Sequence, residues 1–326
     1  MNHMRQTAWS PACRKKPYVT ALILAVLLVL EIFFLSGLIG QAFGFMGTVI
    51  HEVVMALIAV VVILAARGRM RVAFPFHRLR LAQSAGALIL WGGMLLVMNL
   101  VTMIMSYLYP TEVVDAGSGV DALVSSMPVW LGVLVVALVP AICEEIAFRG
   151  AMMTCFRGAR SKWTGIIVVS LFFGACHGSI WRMIPTAILG MAIGYVLFET
   201  ENIFYCMLMH FVNNAFSVLL SSGLNWLYQQ LGEEVQMDTM TRIPLSSVGM
   251  AMIYATAAPI LIYLGNYLLH RGQPGYDRGM FPPEKKWERN TVIAATVGLL
   301  LCGILLVVIT IALRVVIGMN AGGFSY

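Results

Sequence analysis

Residues 18–40 of the chain read YVTALILAVLLVLEIFFLSGLIG, a run in which Glu31 is the only charged side chain. A membrane-spanning helix needs roughly 20 mostly apolar residues to cross a hydrocarbon core of about 30 Å. Further runs of this kind, some of them shorter, lie at 47–66, 84–108, 129–156, 164–180, 183–199, 203–222, 246–269 and 291–317. The runs are continuous, whereas the strands of a membrane barrel alternate between polar and apolar residues. The sequence therefore predicts an all-α polytopic membrane bundle of nine helices, or eight if the short fifth and sixth segments form one broken unit.

The composition excludes several classes of protein. Of the 326 residues, 60% are hydrophobic and 11% are charged, and the mean hydropathy is +0.86. Soluble domains are about 45–50% apolar and about 25% charged. A soluble enzyme, a disordered protein and a nucleic-acid-binding protein are therefore poor interpretations, and the expected partners are membrane lipids rather than nucleic acid.

The basic residues predict which side of the membrane each loop occupies. Lys and Arg are enriched in cytoplasmic loops. With a cytoplasmic N-terminus, the basic clusters at 1–17, 67–80, 149–162 and 270–290 all fall on the cytoplasmic side, and only Arg182, Arg242 and Arg314 fall on or near the other side. The predicted outer loops near 109–128 and 223–245 are instead acidic, with Glu112, Asp115, Asp121, Glu233, Glu234 and Asp238. The pattern indicates a cytoplasmic N-terminus and, for nine spans, an outer C-terminus.

The fourth apolar segment carries an unusual cluster of charges, Pro140-Ala-Ile-Cys-Glu144-Glu145-Ile-Ala-Phe-Arg149. Charges within the hydrocarbon region are costly and mark candidate functional sites. Glu145 and Arg149 are four residues apart, so they share a helix face and can pair. Glu144 points about 100° away, and burial can tune it as a general base. Pro140 is expected to kink the helix near this pair.

Two later segments add imidazole and amide groups. Phe173 and His177 are four residues apart, as are His210 and Asn214, so each pair shares one helix face. A carboxylate with an imidazole can hold and deprotonate a water molecule. A second imidazole and an amide can donate hydrogen bonds to the oxygen of a tetrahedral intermediate. These groups suffice for hydrolysis of a peptide bond without a covalent intermediate.

Other hydrolytic mechanisms find less support. The chain contains no G-x-S-x-G motif for a serine nucleophile. The single H-E pair, His51-Glu52, lacks the second histidine of a zinc-protease helix. Glu31, Asn99 and the His51-Glu52 pair are interpreted as packing or interface residues rather than catalysts.

The ordered motifs E-E-x-x-x-R (Glu144, Glu145, Arg149), F-x-x-x-H (Phe173, His177) and H-x-x-x-N (His210, Asn214) resemble those of the CAAX-protease and bacteriocin-processing family. This family, also called CPBP or Abi, contains intramembrane endopeptidases that include the type II CAAX prenyl endopeptidases. The resemblance covers about residues 125–222, which are predicted to form the catalytic core. Residues 1–124 and 223–326 are predicted to supply N-terminal and C-terminal transmembrane helices.

The resemblance implies a bundle of about eight helices around a catalytic cavity open to the cytosol. It implies that Glu144 and His177 activate water and that His210 and Asn214 form the oxyanion site. Glu145 and Arg149 would orient Glu144. No cofactor is expected, although Glu144, His177 and His210 could supply three ligands to Zn²⁺.

The resemblance also limits the substrate and the location. It implies a membrane-associated protein or peptide substrate, prenylated in the eukaryotic members of the family. The basic N-terminus and the absence of an organelle signal favour the plasma membrane of a prokaryote.

Two alternatives to an endopeptidase stay open: a non-catalytic immunity or scaffold protein and a secondary transporter. Transporters usually consist of two related halves, and no such internal repeat is visible in this sequence.

Overall fold

The computed structural model describes residues 11–13, 15–231, 243–273, 276 and 279–321. Within these ranges the secondary structure is helical and contains no strand. We number the ten principal helices in chain order: α1 (Pro17–Phe43), α2 (Met46–Ala65), α3 (Leu81–Leu108), α4 (Pro110–Ser125), α5 (Val129–Met152), α6 (Lys162–Ala175), α7 (Ile180–Thr200), α8 (Ile203–Leu231), α9 (Leu245–Leu269) and α10 (Lys286–Ala321).

In the described part of the chain, eight helices are long and apolar enough to cross a membrane, and this confirms the all-α polytopic bundle. The segment predicted at 164–180 corresponds to α6, which has only 14 residues. At about 1.5 Å per residue, α6 is roughly 21 Å long and falls short of the hydrocarbon core. The count of eight lies within the predicted range of eight to nine, and the short segment at 164–180 accounts for the difference from nine.

The acidic segment at 109–128, which was predicted to be an outer loop, is largely helical and is not among the candidate spans. Residues 110–125 form α4, which begins at Pro110 and has Glu112 in its first turn. Both features favour the start of a helix, because proline lacks a donor that would be unsatisfied there and a carboxylate interacts with the helix dipole. Glu233, Glu234, Asp238 and Arg242 lie outside the described residues.

The described chain forms two compact units. The first comprises the described parts of Met1–Ser84 and Ser118–Glu234, and the second those of Ala85–Gly117 and Val235–Tyr326. In the second unit, glycines allow close approach of helices. A Cβ atom added to Gly249 would lie 2.8 Å from the Gly303 carbonyl oxygen, and one added to Gly86 would lie 2.8 Å from the Gly265 carbonyl oxygen. Small residues at such crossings are typical of membrane helix packing.

Helix α5 lies in the first unit and is the most buried of the candidate spans, with half of its apolar window inside the protein. It is not a regular α-helix, because residues Val133–Leu138 and Glu145–Met152 form wider π-helical turns. Such turns are common at functional sites. The π-helical turns lie on both sides of Pro140, the residue at which a kink is predicted from the sequence.

Helices α6 and α7 form an antiparallel pair, which we call the α6–α7 hairpin. Gly174 lies at the crossing, where an added Cβ atom would be 2.6 Å from the Met183 carbonyl oxygen. At the other end of the hairpin, Lys162 forms a salt bridge with Glu199. The hairpin places the turn at 176–179 beside α5.

Candidate functional site

The six site residues predicted from the sequence all lie in the first unit. Helix α5 carries Glu144, Glu145 and Arg149, the turn of the α6–α7 hairpin carries His177, and α8 carries His210 and Asn214. The structure brings these three elements together.

Glu145 and Arg149 form a fully buried ion pair. Arg149 Nη1 lies 3.1 Å from Glu145 Oε1, and both side chains have no exposed surface. The guanidinium also donates a long hydrogen bond from Nη2 to the Gly190 carbonyl at 3.4 Å and lies 4.3 Å from the centre of the Phe173 ring. The pairing predicted from the four-residue spacing is therefore present. The planar guanidinium stacks on the aromatic ring in a way that a lysine would not reproduce.

A glycine at position 190 makes room for this arginine. A Cβ atom added to Gly190 would lie 3.2 Å from Arg149 Nη2 and 3.1 Å from Ser170 Cβ. The α6–α7 hairpin therefore gives the guanidinium both a carbonyl acceptor and the space to reach it.

His210 connects the two glutamates. Its Nδ1 lies 2.8 Å from Glu145 Oε1, and its Nε2 lies 3.5 Å from Glu144 Oε2. Glu145 is paired with an arginine and accepts hydrogen bonds, so Nδ1 carries the hydrogen and donates it. The Nε2 atom is thereby directed at Glu144. The 3.5 Å contact between His210 Nε2 and Glu144 Oε2 is attractive when one of these two atoms carries a proton.

Glu144 is in a different environment from its neighbour. Its side chain is 16% exposed, whereas that of Glu145 is fully buried. Among the described residues, Glu144 Oε2 has no hydrogen-bond partner. Oε2 is itself buried, so the exposed part of the side chain is where a water molecule can reach this carboxylate.

The position and tautomer of His177 follow from the local fold of the hairpin turn. Its Nδ1 lies 3.0 Å from the Phe173 carbonyl oxygen. Because a carbonyl only accepts, Nδ1 carries the hydrogen and Nε2 is left for other interactions. The next residue, Gly178, has a positive φ of 72°, which residues with a side chain rarely adopt. Ser179 then caps α7 by accepting a hydrogen bond from the Trp181 N–H at 3.3 Å.

Asn214 is fixed against α5 by a backbone carbonyl. Its Nδ2 donates to the Val136 carbonyl oxygen at 3.2 Å, and its Oδ1 accepts from Asn213 Nδ2 at 3.2 Å. Val136 lies four residues before Pro140, which has no N–H to offer in an α-helical hydrogen bond. The proline thus leaves a carbonyl that the amide of Asn214 can reach.

A cavity of about 210 Å³ opens beside these residues. Of the six predicted site residues, Glu144 and His177 line it. The cavity is also lined by residues that sequence reasoning did not place there: Ile32, His51, Met55, Phe148, Phe173, Cys176 and Arg182. Two ionisable groups from helices outside the three motifs therefore face the same space as Glu144.

Glu31, His51 and Glu52, which were predicted to be packing or interface residues rather than catalysts, form a chain of contacts. Glu31 Oε1 lies 2.7 Å from His51 Nδ1, and His51 Nε2 lies 3.9 Å from Glu52 Oε1. His51 lines the cavity that contains Glu144. The available signal was the presence of three ionisable residues in two apolar spans, but their separation along the chain concealed the contact. Asn99, which received the same interpretation, lies in the second unit.

A zinc site with Glu144, His177 and His210 does not fit the arrangement of these side chains. Across the described residues, no three His, Cys, Asp or Glu side chains converge closely enough to hold a metal ion. The Nδ1 atoms of both histidines are hydrogen-bonded to oxygen atoms, which leaves Nε2 of each as the possible metal ligand, and Nε2 of His210 is directed at Glu144.

Comparison with known proteins supports the resemblance seen in the three motifs. Residues 126–216, which include all six predicted site residues, match the family model for "Type II CAAX prenyl endopeptidase Rce1-like". An uncharacterized protein of Mycoplasma capricolum subsp. capricolum is 34% identical over 94 residues. This alignment covers 28% of the present chain and 27% of that protein, so the chain spans about a quarter of the length of this relative. No solved structure matches the chain.

Proposed function

We propose that this multi-pass membrane protein is an intramembrane endopeptidase in which Glu144 and His177 activate a water molecule for attack on a peptide bond. One observation carries the proposal. The side chain of Glu144, which is 16% exposed, and that of His177, whose Nε2 is left available by the hydrogen bond at Nδ1, line the same cavity inside a bundle of apolar helices. The Rce1-like match at residues 126–216 supports the same class of reaction.

In the proposed first step, a water molecule binds between Glu144 and His177. Glu144 accepts one proton of the water as the oxygen attacks the carbonyl carbon of the substrate. His177 orients the water through Nε2, because its Nδ1–H is held by the Phe173 carbonyl. General-base assistance of this kind contributes about 10²- to 10⁴-fold to a rate.

In the same step, His210 and Asn214 are proposed to stabilise the negative charge on the carbonyl oxygen. His210 already donates its Nδ1–H to Glu145, so it must also be protonated at Nε2 to donate to an oxyanion. Asn214 uses one amide hydrogen for the Val136 carbonyl and retains a second for the substrate. Donors aimed at the developing oxyanion are typically worth about 3–4 kcal/mol each in catalysis.

Glu145 and Arg149 act in this proposal as positioning residues. Glu145 holds the His210 ring through the 2.8 Å contact, and Arg149 holds Glu145 in place through the 3.1 Å ion pair. Because both side chains are fully buried, neither is proposed to contact the substrate.

The proposed substrate is a membrane-associated protein or peptide, and a lipidated or prenylated chain would suit a second cavity. This cavity has a volume of about 330 Å³ and is lined by the apolar residues Val60, Met70, Phe74, Phe76 and Ile146 together with Arg71. Ile146 follows Glu145 directly, so an apolar chain bound there would lie close to the catalytic helix. The proposed location is the plasma membrane of a prokaryote, with the N-terminus in the cytoplasm.

The proposal is tested by peptide cleavage with the purified protein in detergent. The assay uses a library of tethered and lipidated peptides, read by mass spectrometry, with and without 1,10-phenanthroline. The parent, Glu144→Gln and His177→Gln are compared with Glu112→Gln, a matched control in the exposed first turn of α4. We expect cleavage by the parent and the control, loss in both site variants and no effect of the chelator.

The other outcomes distinguish the alternatives. Full activity of Glu144→Gln would overturn the mechanism. Loss of cleavage with the chelator, restored by Zn²⁺, would replace the proposed acid–base role of Glu144 by metal ligation. No cleavage of any peptide by the parent, together with complementation of a cellular phenotype by Glu144→Gln, would support the scaffold interpretation.

A further inference from the structure

A second carboxylate–imidazole pair, formed by Glu31 and His51, has no role in the reaction proposed above. Its imidazole lines the cavity. Helix α1 forms a π-helical turn at Glu31–Leu35, which begins at the buried residue Glu31. Its Oε1 atom is 2.7 Å from His51 Nδ1, and the Glu31 side chain is only 1% exposed. A buried carboxylate in an apolar helix is costly unless it has a partner, and His51 supplies that partner.

The hydrogen bond to Glu31 determines which nitrogen of His51 is available. A carboxylate accepts, so Nδ1–H is the donor and Nε2 is the remaining nitrogen. Nε2 lies 3.9 Å from Glu52 Oε1, which is too far for a hydrogen bond. His51 is 19% exposed and lines the cavity together with Glu144 and His177.

The two histidines in the cavity have different partners at Nδ1. His177 is held by a neutral carbonyl, which fixes a tautomer but brings no charge. His51 is held by a carboxylate, with a second carboxylate, Glu52, on its other side. Carboxylates stabilise an imidazolium. Titratable groups placed in contrasting environments within one site are a common basis for separate acid and base roles.

Hydrolysis of a peptide bond requires a general acid. The amine is a poor leaving group unless its nitrogen gains a proton as the bond to carbon breaks. Besides His51, the charged or titratable residues that line the cavity are Glu144, Cys176, His177 and Arg182. Of these, Glu144 and His177 are assigned to the attacking water, an arginine does not release its proton, and a thiol is a weak hydrogen-bond donor.

We propose that His51, oriented by Glu31, is the proton donor to the leaving amine nitrogen. The inference rests on the proposed peptidase function. The proton that Glu144 removes from water passes through water in the cavity to Nε2 of His51, while Nδ1–H of His51 stays hydrogen-bonded to Glu31. As the C–N bond of the tetrahedral intermediate breaks, its electron pair passes to nitrogen, which takes this proton from Nε2, so that the products are one carboxylic acid and one amine.

The test compares two leaving groups. One substrate is the peptide that the parent cleaves best, and the other is the p-nitrophenyl ester of its acyl portion, because nitrophenolate departs without a proton. Both are hydrolysed by the parent, His51→Gln and Glu31→Gln. His77→Gln is the matched control, since His77 is exposed outside the site. Thermal melts in detergent show whether each variant is folded.

We expect His51→Gln to reduce peptide cleavage about 100-fold while ester hydrolysis changes less than about three-fold. Glu31→Gln should show the same selectivity with a smaller loss, because it leaves the imidazole in place. Equal losses on both substrates, or no loss on either, would overturn the role of His51. If the parent hydrolyses neither substrate, or Glu144→Gln retains both activities, the peptidase proposal itself fails, and that result is distinct from a failure at His51.

Discussion

Adjacent glutamates with different partners are the central feature of the site at the scale of single residues. Glu145 is fully buried and contacts both Arg149 and His210. Glu144 lines the cavity, and its side chain is partly exposed. Glu145 is occupied by its ion pair with Arg149. Glu144 is therefore the one of the two carboxylates that can interact with water.

Replacing Arg149 by methionine should destabilise the protein. Methionine fills similar apolar space but leaves Glu145 as a buried carboxylate without its cation. Breaking a buried ion pair in this way costs about 3–5 kcal/mol. The expected result is a lower midpoint of thermal unfolding in detergent, measured by intrinsic fluorescence.

The double variant Arg149→Met, Glu145→Gln provides the control. It removes both charges, so it should regain a large part of the lost stability while its peptide cleavage stays impaired, because His210 loses its carboxylate. A single Arg149→Met variant that melts like the parent would contradict the importance assigned to the ion pair.

At the scale of elements, the close packing of α6 against α7 determines the position of His177. Gly174 lies three residues before this histidine, and a methyl group there would approach the Met183 carbonyl oxygen to 2.6 Å. The obstacle is backbone, which cannot rotate aside, so the helices must separate.

Gly174→Ala should therefore reduce stability by about 1–3 kcal/mol, as overpacking of a tight interface does, and should reduce peptide cleavage by displacing His177. Both effects are measured on the purified protein. Gly223→Ala is the control, because the added methyl group meets nothing within 4 Å. Unchanged cleavage by a folded Gly174→Ala variant would show that the crossing does not position His177.

The extent to which these elements can be predicted from sequence depends on their physical basis. Long apolar runs predict the spans because hydrophobic length is a local property. Helix α4 was not predicted, because an acidic segment that contains Gly117 and Gly119 resembles a loop. Its helical start becomes evident only when Pro110 and Glu112 are considered together. The three motifs brought Glu144, His177 and His210 to attention through short spacings along the chain.

The contact between Glu31 and His51 was not predictable in the same way. It joins two helices whose apolar composition offers no periodic signal for which faces meet. The π-helical turns of α1 and α5 add to the difficulty, because they shift the direction of side chains away from the regular helical period. Only the folded arrangement places His51 in the cavity with Glu144.

At the scale of the whole molecule, the charge pattern predicts an orientation that does not depend on whether eight or nine spans are counted. The salt bridge between Lys162 and Glu199 places the first residue of α6 near the end of α7. The α6–α7 hairpin therefore returns the chain to the end at which it entered, whether or not α6 reaches the opposite face. In the predicted topology, the helices before and after the hairpin therefore keep the same alternation, and the basic clusters are all expected on the cytoplasmic side.

Single cysteines introduced into a cysteine-free background test this orientation in intact bacterial cells. Arg78→Cys lies in the basic segment between α2 and α3, and Glu112→Cys lies in α4; both positions are exposed. A membrane-impermeant maleimide should label Glu112→Cys in intact cells and Arg78→Cys only after permeabilisation, because Lys and Arg are retained on the cytoplasmic side. The reverse pattern would place the N-terminus outside and would require the basic loops at 67–80 and 149–162 to have crossed the membrane.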